Sequence, residues 1–167
     1  MNRSEPVELT NLCLIYRDNE ILLQNRKKSD WQGYTLPGGH VEPYESFTDA
    51  VIREVQEETG YTLERKDVNF IDINSKPEGK KQNVGIRHIA FIDNDKKQIS
   101  DFELDTNEVT ELKWIEIGES VGNIFNIDVN KLDCVKWAFN HKSLIIHIIN
   151  EYCNRYGYEI ELKNKQK

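Results

Sequence analysis

Residues 39–61 read GHVEPYESFTDAVIREVQEETGY, and Leu36-Pro37-Gly38 stand just before them. Ser46-Phe-Thr-Asp49 is a helix-start signal. The Ser hydroxyl can accept a free backbone N–H, and an acid three residues on suits the first turn. Helix formers follow, and Gly60 stands where a chain leaves a helix through the left-handed region. The spacing predicts a helix over Phe47 to Thr59. At about 100° per residue, Phe47, Val51, Ile52 and Val55 fall on one side. Glu54, Glu57 and Glu58 are spaced i, i+3, i+4 and form a stripe beside it, while Asp49 and Gln56 point elsewhere.

Three carboxylates on one stripe repel, at a cost of about a few tenths of a kcal/mol per pair on a solvated helix. Partial burial raises that cost and favours protonation or a cation. A hard divalent cation with oxygen ligands removes the conflict, and magnesium suits a site shared with phosphates. An E-x-x-E-E stripe alone is more often a solvated surface. Gly38-Gly39 tips the balance, because paired glycines let backbone approach a ligand and a carbonyl there can complete a metal shell.

Gly39, Glu45, Arg53-Glu54-Val55, Glu57-Glu58 and Gly60-Tyr61 together resemble the signature box of the Nudix hydrolases, which cleave nucleoside diphosphates linked to another group. The resemblance implies an α/β/α sandwich with a mixed sheet. It implies that Glu54, Glu57 and Glu58 ligate the metal, helped by the Gly39 carbonyl. Mg2+ is the cofactor it implies, with Mn2+ able to substitute. Arg53 is expected to pair with Glu45, and with Glu57 as a further partner. Gly38 and Gly39 are expected beside the substrate. Tyr61 departs mildly from the aliphatic residue usual at that position.

At 167 residues and 38% apolar content, one domain with its own core is expected. Its core is placed at about residues 7–120, with a C-terminal helical extension over about 121–160. No apolar run approaches the ~20 residues of a membrane-spanning helix; the longest candidate is Leu144 to Ile149. The N-terminus lacks a secretory pattern. Cys13, Cys134 and Cys153 are an odd, widely spaced set, which favours reduced thiols and a cytoplasmic setting. A net charge of −7 argues against long nucleic acid but not against a nucleotide. A monomer or homodimer is expected, with no membrane partner.

Apolar runs predict strands at Leu9–Tyr16, Glu20–Arg26, Ile86–Ile92 and Val109–Ile117, with a short strand and turn at Thr35–Val41 and another strand within Tyr61–Asn74. Polar loops are expected at Lys27–Tyr34, Ser75–Asn83 and Asp93–Asn107. Helical spacing at Val129–Phe139 and Leu144–Tyr156 predicts two C-terminal helices. Arg26, ending the second strand, is the position where the resemblance implies a phosphate contact. Arg87 is a candidate for a second phosphate or base contact. A further catalytic acid is implied before the Trp114 strand, with Glu103, Glu108 and Glu111 as candidates and Glu108 or Glu111 favoured. Trp31 can stack on a base or staple its loop. Asn123, Phe125 and Asn126 are positional guesses for base readers.

The expected activity is magnesium-dependent hydrolysis of a nucleoside diphosphate-X pyrophosphate bond. A (deoxy)nucleoside triphosphate such as 8-oxo-dGTP is the favoured substrate. The alternatives are ADP-ribose, towards which Pro77 points weakly, a dinucleoside polyphosphate, or a non-catalytic nucleotide-sensing module.

Overall fold

The computed structural model describes residues 3–27, 32–93 and 109–164. Among the described residues, eight strands and two α-helices follow one another as β1 Val7–Arg17, β2 Glu20–Arg26, β3 Gly33–Thr35, α1 Phe47–Thr59, β4 Val68–Glu78, β5 Lys81–Phe91, β6 Val109–Glu116, β7 Ile124–Asp128, α2 His141–Tyr156 and β8 Glu159–Lys163. The main sheet is mixed: β1 runs parallel to β5, while β2 pairs antiparallel with β1, β3 and β6, and β4 with β5. β7 and β8 make a separate two-stranded parallel sheet.

Strand alternation divides the core in two. Cys13, Ile15, Leu22 and Ala90 face α1 and pack with Val51, Val55 and Leu63. Leu14, Tyr16, Leu23 and Ile89 face the other way and pack with Ile145, Ile148, Ile149 and Cys153 of α2. A mixed sheet between helical layers is the architecture the resemblance implies. Among the described residues no helix is long and apolar enough to cross a membrane.

β1 and β2 pair only at Tyr16↔Ile21 and Arg17↔Glu20, then splay apart. The chain from 33 to 41 enters the wedge. Its first part pairs with β2 at Gln24↔Thr35 and Arg26↔Gly33. Its second part pairs with β1: Cys13 N–H donates to the Pro37 carbonyl at 2.9 Å, Asn11 N–H to Gly39 at 2.7 Å, and Val41 N–H to Leu9 at 2.9 Å. The wedge carries Gly38-Gly39 to the middle of the sheet and delivers the chain into α1.

Two expectations are corrected. Ser75–Asn83 is not a polar loop: β4 and β5 continue through it to a Gly79-Lys80 turn, with Pro77 on the edge strand β4 opposite Gln82. Long cross-strand pairing outweighs the polar composition there. Val129–Phe139 is not an α-helix: Lys131–Cys134 forms one 3-10 turn, and the following residues run extended beside β3. Tyr34 N–H donates to the Lys136 carbonyl at 2.9 Å, and Ala138 N–H to that of Tyr34 at 3.1 Å. The chain turns at Phe139, with φ of 59°, into α2. The second predicted helix is α2, and it starts at His141.

Candidate active site

α1 begins and ends as its sequence dictates. Ser46 Oγ accepts the Asp49 N–H at 3.1 Å, and Gly60, at φ 73°, returns its N–H to Gln56 at 2.8 Å. Arg53 is the hub of the loop before it. Its Nε and Nη2 donate to the two Glu45 oxygens at 2.8 and 3.0 Å, and Nη2 also reaches the His40 carbonyl at 2.9 Å. Nη1 donates to Glu54 at 2.9 Å and Glu57 at 3.2 Å. The guanidinium beside Glu45 holds that carboxyl below its usual range.

The three glutamates of the stripe are not equivalent. Glu57 is 56% exposed at the side chain, Glu54 14%, and Glu58 is buried. Glu58 Oε2 accepts the Gly38 N–H at 2.8 Å. Burial foremost, helped by neighbouring Glu54, pushes the Glu58 carboxyl up to about 7, against the pull of hydrogen bonds from Gln24 and Gly38 and of the Arg26 charge. Glu54 lies over Gly39: a Cβ built there would stand 2.5 Å from the Glu54 carboxylate. A Cβ on Gly38 would stand 2.1 Å from the Asn11 carbonyl oxygen.

These donors suit a hard cation: they are all oxygen, and the absent side chain at residue 39 is what admits Glu54. The face is not a closed cage. Among the described residues no three His, Cys, Asp or Glu side chains converge as a ready cation cluster. Arg53 spans Glu54 and Glu57, and the Gly39 carbonyl already accepts the Asn11 N–H. A carbonyl keeps a second lone pair, and magnesium characteristically takes a few protein carboxylates and completes its shell with water and phosphate.

Arg26 ends β2 beside Gly33 and is electrostatically coupled to Glu58 and to His141 at the start of α2. Two other candidates stand elsewhere. Arg87 grips both oxygens of Asp72, whose Oδ2 also meets His147 Nε2 of α2 at 2.7 Å. That cluster lies on the α2 side of the sheet, so Arg87 serves the packing of α2 and not the acidic face. Glu111 accepts the Tyr34 hydroxyl proton at 2.6 Å and pairs with Asn25, whose side alternates away from Gln24. It is therefore on the opposite face from Glu58. Phe125 packs against Tyr16 at the far end of β1, away from the glycine wedge. Glu103, Glu108 and Trp31 lie outside the described residues.

Gln24 and Asn11 were missed by sequence reasoning. Both are 1% exposed on the α1 face of the sheet. The signal was present: each is an amide side chain beside a run of apolar residues, in ILLQ and LTNLCLIY.

The NUDIX domain family model matches residues 8–138. A Lactococcus lactis protein named "Probable DHNTP pyrophosphohydrolase" is 36% identical over 115 residues, covering 63% of this chain and 68% of that protein. An ADP-ribose pyrophosphatase of Methanocaldococcus jannaschii is 50% identical over 48 residues, 28% of each chain, so the match spans under a third of that relative. A Bacillus subtilis protein provisionally named as an 8-oxo-dGTP diphosphatase is 44% identical over 50 residues, 30% of this chain and 32% of that one. In fold, the MutT/nudix family protein of Enterococcus faecalis superposes with TM-score 0.70 at 21% identity, over 92% of this chain and 65% of that one. A MutT protein of Methanosarcina mazei superposes with TM-score 0.62 at 22% identity, over 90% and 99%. The family model spans most of the chain, and the glycines and glutamates of the box meet one another in the fold; this protein belongs to the NUDIX family.

Proposed function

We propose that this protein is a magnesium-dependent nucleoside-diphosphate-X pyrophosphohydrolase. One observation carries the reading. The acidic face of α1 is pressed against the glycine wedge, Glu58 on the Gly38 N–H and Glu54 over Gly39. Glu54, Glu57 and Glu58 would hold the cation, with the second lone pair of the Gly39 carbonyl available to it. When bound, the cation supplies an acidified water and offsets charge on the phosphoryl oxygens. A carboxylate of the acidic face would serve as base toward that water. Arg53 orders the loop through Glu45 and the His40 carbonyl, and its contacts with Glu54 and Glu57 would have to yield for those carboxylates to hold a cation. Arg26 faces the same side and draws the polyphosphate in. Water adds at phosphorus, the P–O–P bridge breaks, and a nucleoside monophosphate leaves with pyrophosphate or a phosphorylated group.

The favoured substrate is a (deoxy)nucleoside triphosphate such as 8-oxo-dGTP, supported by the Bacillus relative's name and local likeness. The Methanocaldococcus match favours ADP-ribose as the second reading. The Lactococcus relative adds DHNTP to the substrates worth testing. The thiols Cys13, Cys134 and Cys153 are all unpaired, which supports a reducing, cytoplasmic setting.

The test is product release from 8-oxo-dGTP, dNTPs, DHNTP, ADP-ribose and a dinucleoside tetraphosphate, with Mg2+ and with EDTA. Turnover of at least one, abolished by EDTA, is expected. Glu57→Gln and Glu58→Gln are each expected to lose at least about 100-fold in kcat while keeping the fold. Full activity in both would sink the assignment. Tight binding of a nucleotide with no turnover would favour a sensing module.

A further inference from the structure

The sheet face turned toward α1 carries a buried polar patch in addition to His88. Asn11, Gln24 and Thr35 are 1%, 1% and 3% exposed. Gln24 and Thr35 are paired directly across β2 and β3, which puts both side chains on one face, about 5 Å apart at Cβ. Asn11 stands two residues before Cys13, which packs with Val51 and Val55, so alternation turns it to the same face. Among the described residues, both amide atoms of Asn11, Oε1 of Gln24 and Oγ1 of Thr35 lack a hydrogen-bond partner. Burying unpaired polar atoms destabilises a fold, so packing alone does not account for these residue types.

The other end of the Gln24 amide supplies a reason. It hydrogen-bonds the Glu58 carboxylate, which also accepts the Gly38 N–H at 2.8 Å. Glu58 lies at the C-terminal end of α1, and its side chain reaches the sheet through three rotatable bonds. Two donors on separate elements, β2 and the glycine wedge, limit where its oxygens can stand. Gln24 itself is too deeply buried to touch a substrate.

We propose that Gln24 is a positioning residue of the acidic face: its amide, delivered from β2, sets the place and angle of the Glu58 carboxylate, with Asn11 and Thr35 forming the polar floor around it. The inference rests on the assignment of Glu58 as a cation ligand. Outer-shell partners of this kind typically contribute about 10–100-fold to metal affinity or activity.

The experiment compares the unsubstituted protein with Gln24→Met and Gln24→Leu, which keep an apolar stem and remove the amide. Mn2+ is titrated by electron paramagnetic resonance without nucleotide. Tm is measured, and kcat and KM are determined on whichever nucleotide the unsubstituted protein turns over. The expected result is Mn2+ affinity lowered about 10-fold or more and kcat lowered with KM nearly unmoved, in variants that stay folded. Unchanged Mn2+ affinity, whether or not Tm falls, overturns the inference and leaves the acidic face as assigned. Should neither variant fold, the Gln24 side-chain amide signal of the unsubstituted protein is followed by NMR as Mg2+ is added. A shift saturating with the cation supports the inference, and an unmoved signal overturns it. Failure of the unsubstituted protein to bind Mn2+ removes the underlying assignment, and that is read before any variant is compared.

Discussion

At the scale of single residues, the adjacent glycines do different work. Gly38 has φ of 152°, and any Cβ there meets the Asn11 backbone at 2.1 Å. Gly38→Ala must push two backbone segments apart, and is expected to destabilise by roughly 2–4 kcal/mol in chemical denaturation. Gly39 meets only the end of the Glu54 side chain, which can swing aside. Gly39→Ala is expected to keep stability within about 1 kcal/mol while turnover and Mn2+ affinity fall, because Glu54 is displaced. If the two variants lose stability equally, this separation of roles is wrong. Both glycines were legible in the sequence as a pair that brings backbone close to something. Their separate partners were not, because Asn11 and Glu54 approach from different elements.

At the scale of elements, α1 is specified locally. Its cap, its stop and its apolar side all lie within 15 residues of sequence, from Ser46 to Gly60. Ser46→Ala removes the acceptor for the Asp49 N–H and is expected to cost about 1 kcal/mol, or roughly 2–4 °C in Tm. No change in Tm would mean that the Arg53 hub alone holds the start of the helix. The segment from 129 to 139 is the opposite case. Its apolar spacing fits a helix, yet it is drawn out along β3, because the Tyr34 N–H and C=O need partners on that edge. A strand edge 100 residues away does not show in local periodicity. For the same reason the parallel pairing of β7 with β8, across α2, was not foreseen.

At the scale of the molecule, buried histidines set the acid limit of the fold. His88 is fully buried on the α1 face, and burial pushes its pKa down to about 4 from 6.5. His141 is also held down to about 4, by burial first and then by Arg26. Both pKa values are depressed in the folded chain, so protons bind the unfolded chain first. The histidine contribution to stability is fully present above about pH 6.5 and falls as pH drops towards 4, by up to about 3 kcal/mol for each, while Glu58, raised to about 7, acts in the opposite sense over the same window. Urea unfolding between pH 7.5 and 4.5 checks this, and His88→Phe should flatten the curve if it folds. A slope unchanged in a folded variant would mean that His88 is not the group responsible.

The sequence by itself determined the helix of the box, the acid stripe on it and the family resemblance, which in turn implied the Arg53 pairing. Each depends on residues close together in the chain, where spacing translates directly into geometry. Only the tertiary structure decided which glutamate is buried, which glycine meets which partner, and that Arg87 and Glu111 face away from Glu58. Those outcomes depend on how β1 and β2 splay and on which side of the sheet each strand register turns. A one-residue change of register reverses that side, and no local pattern encodes it.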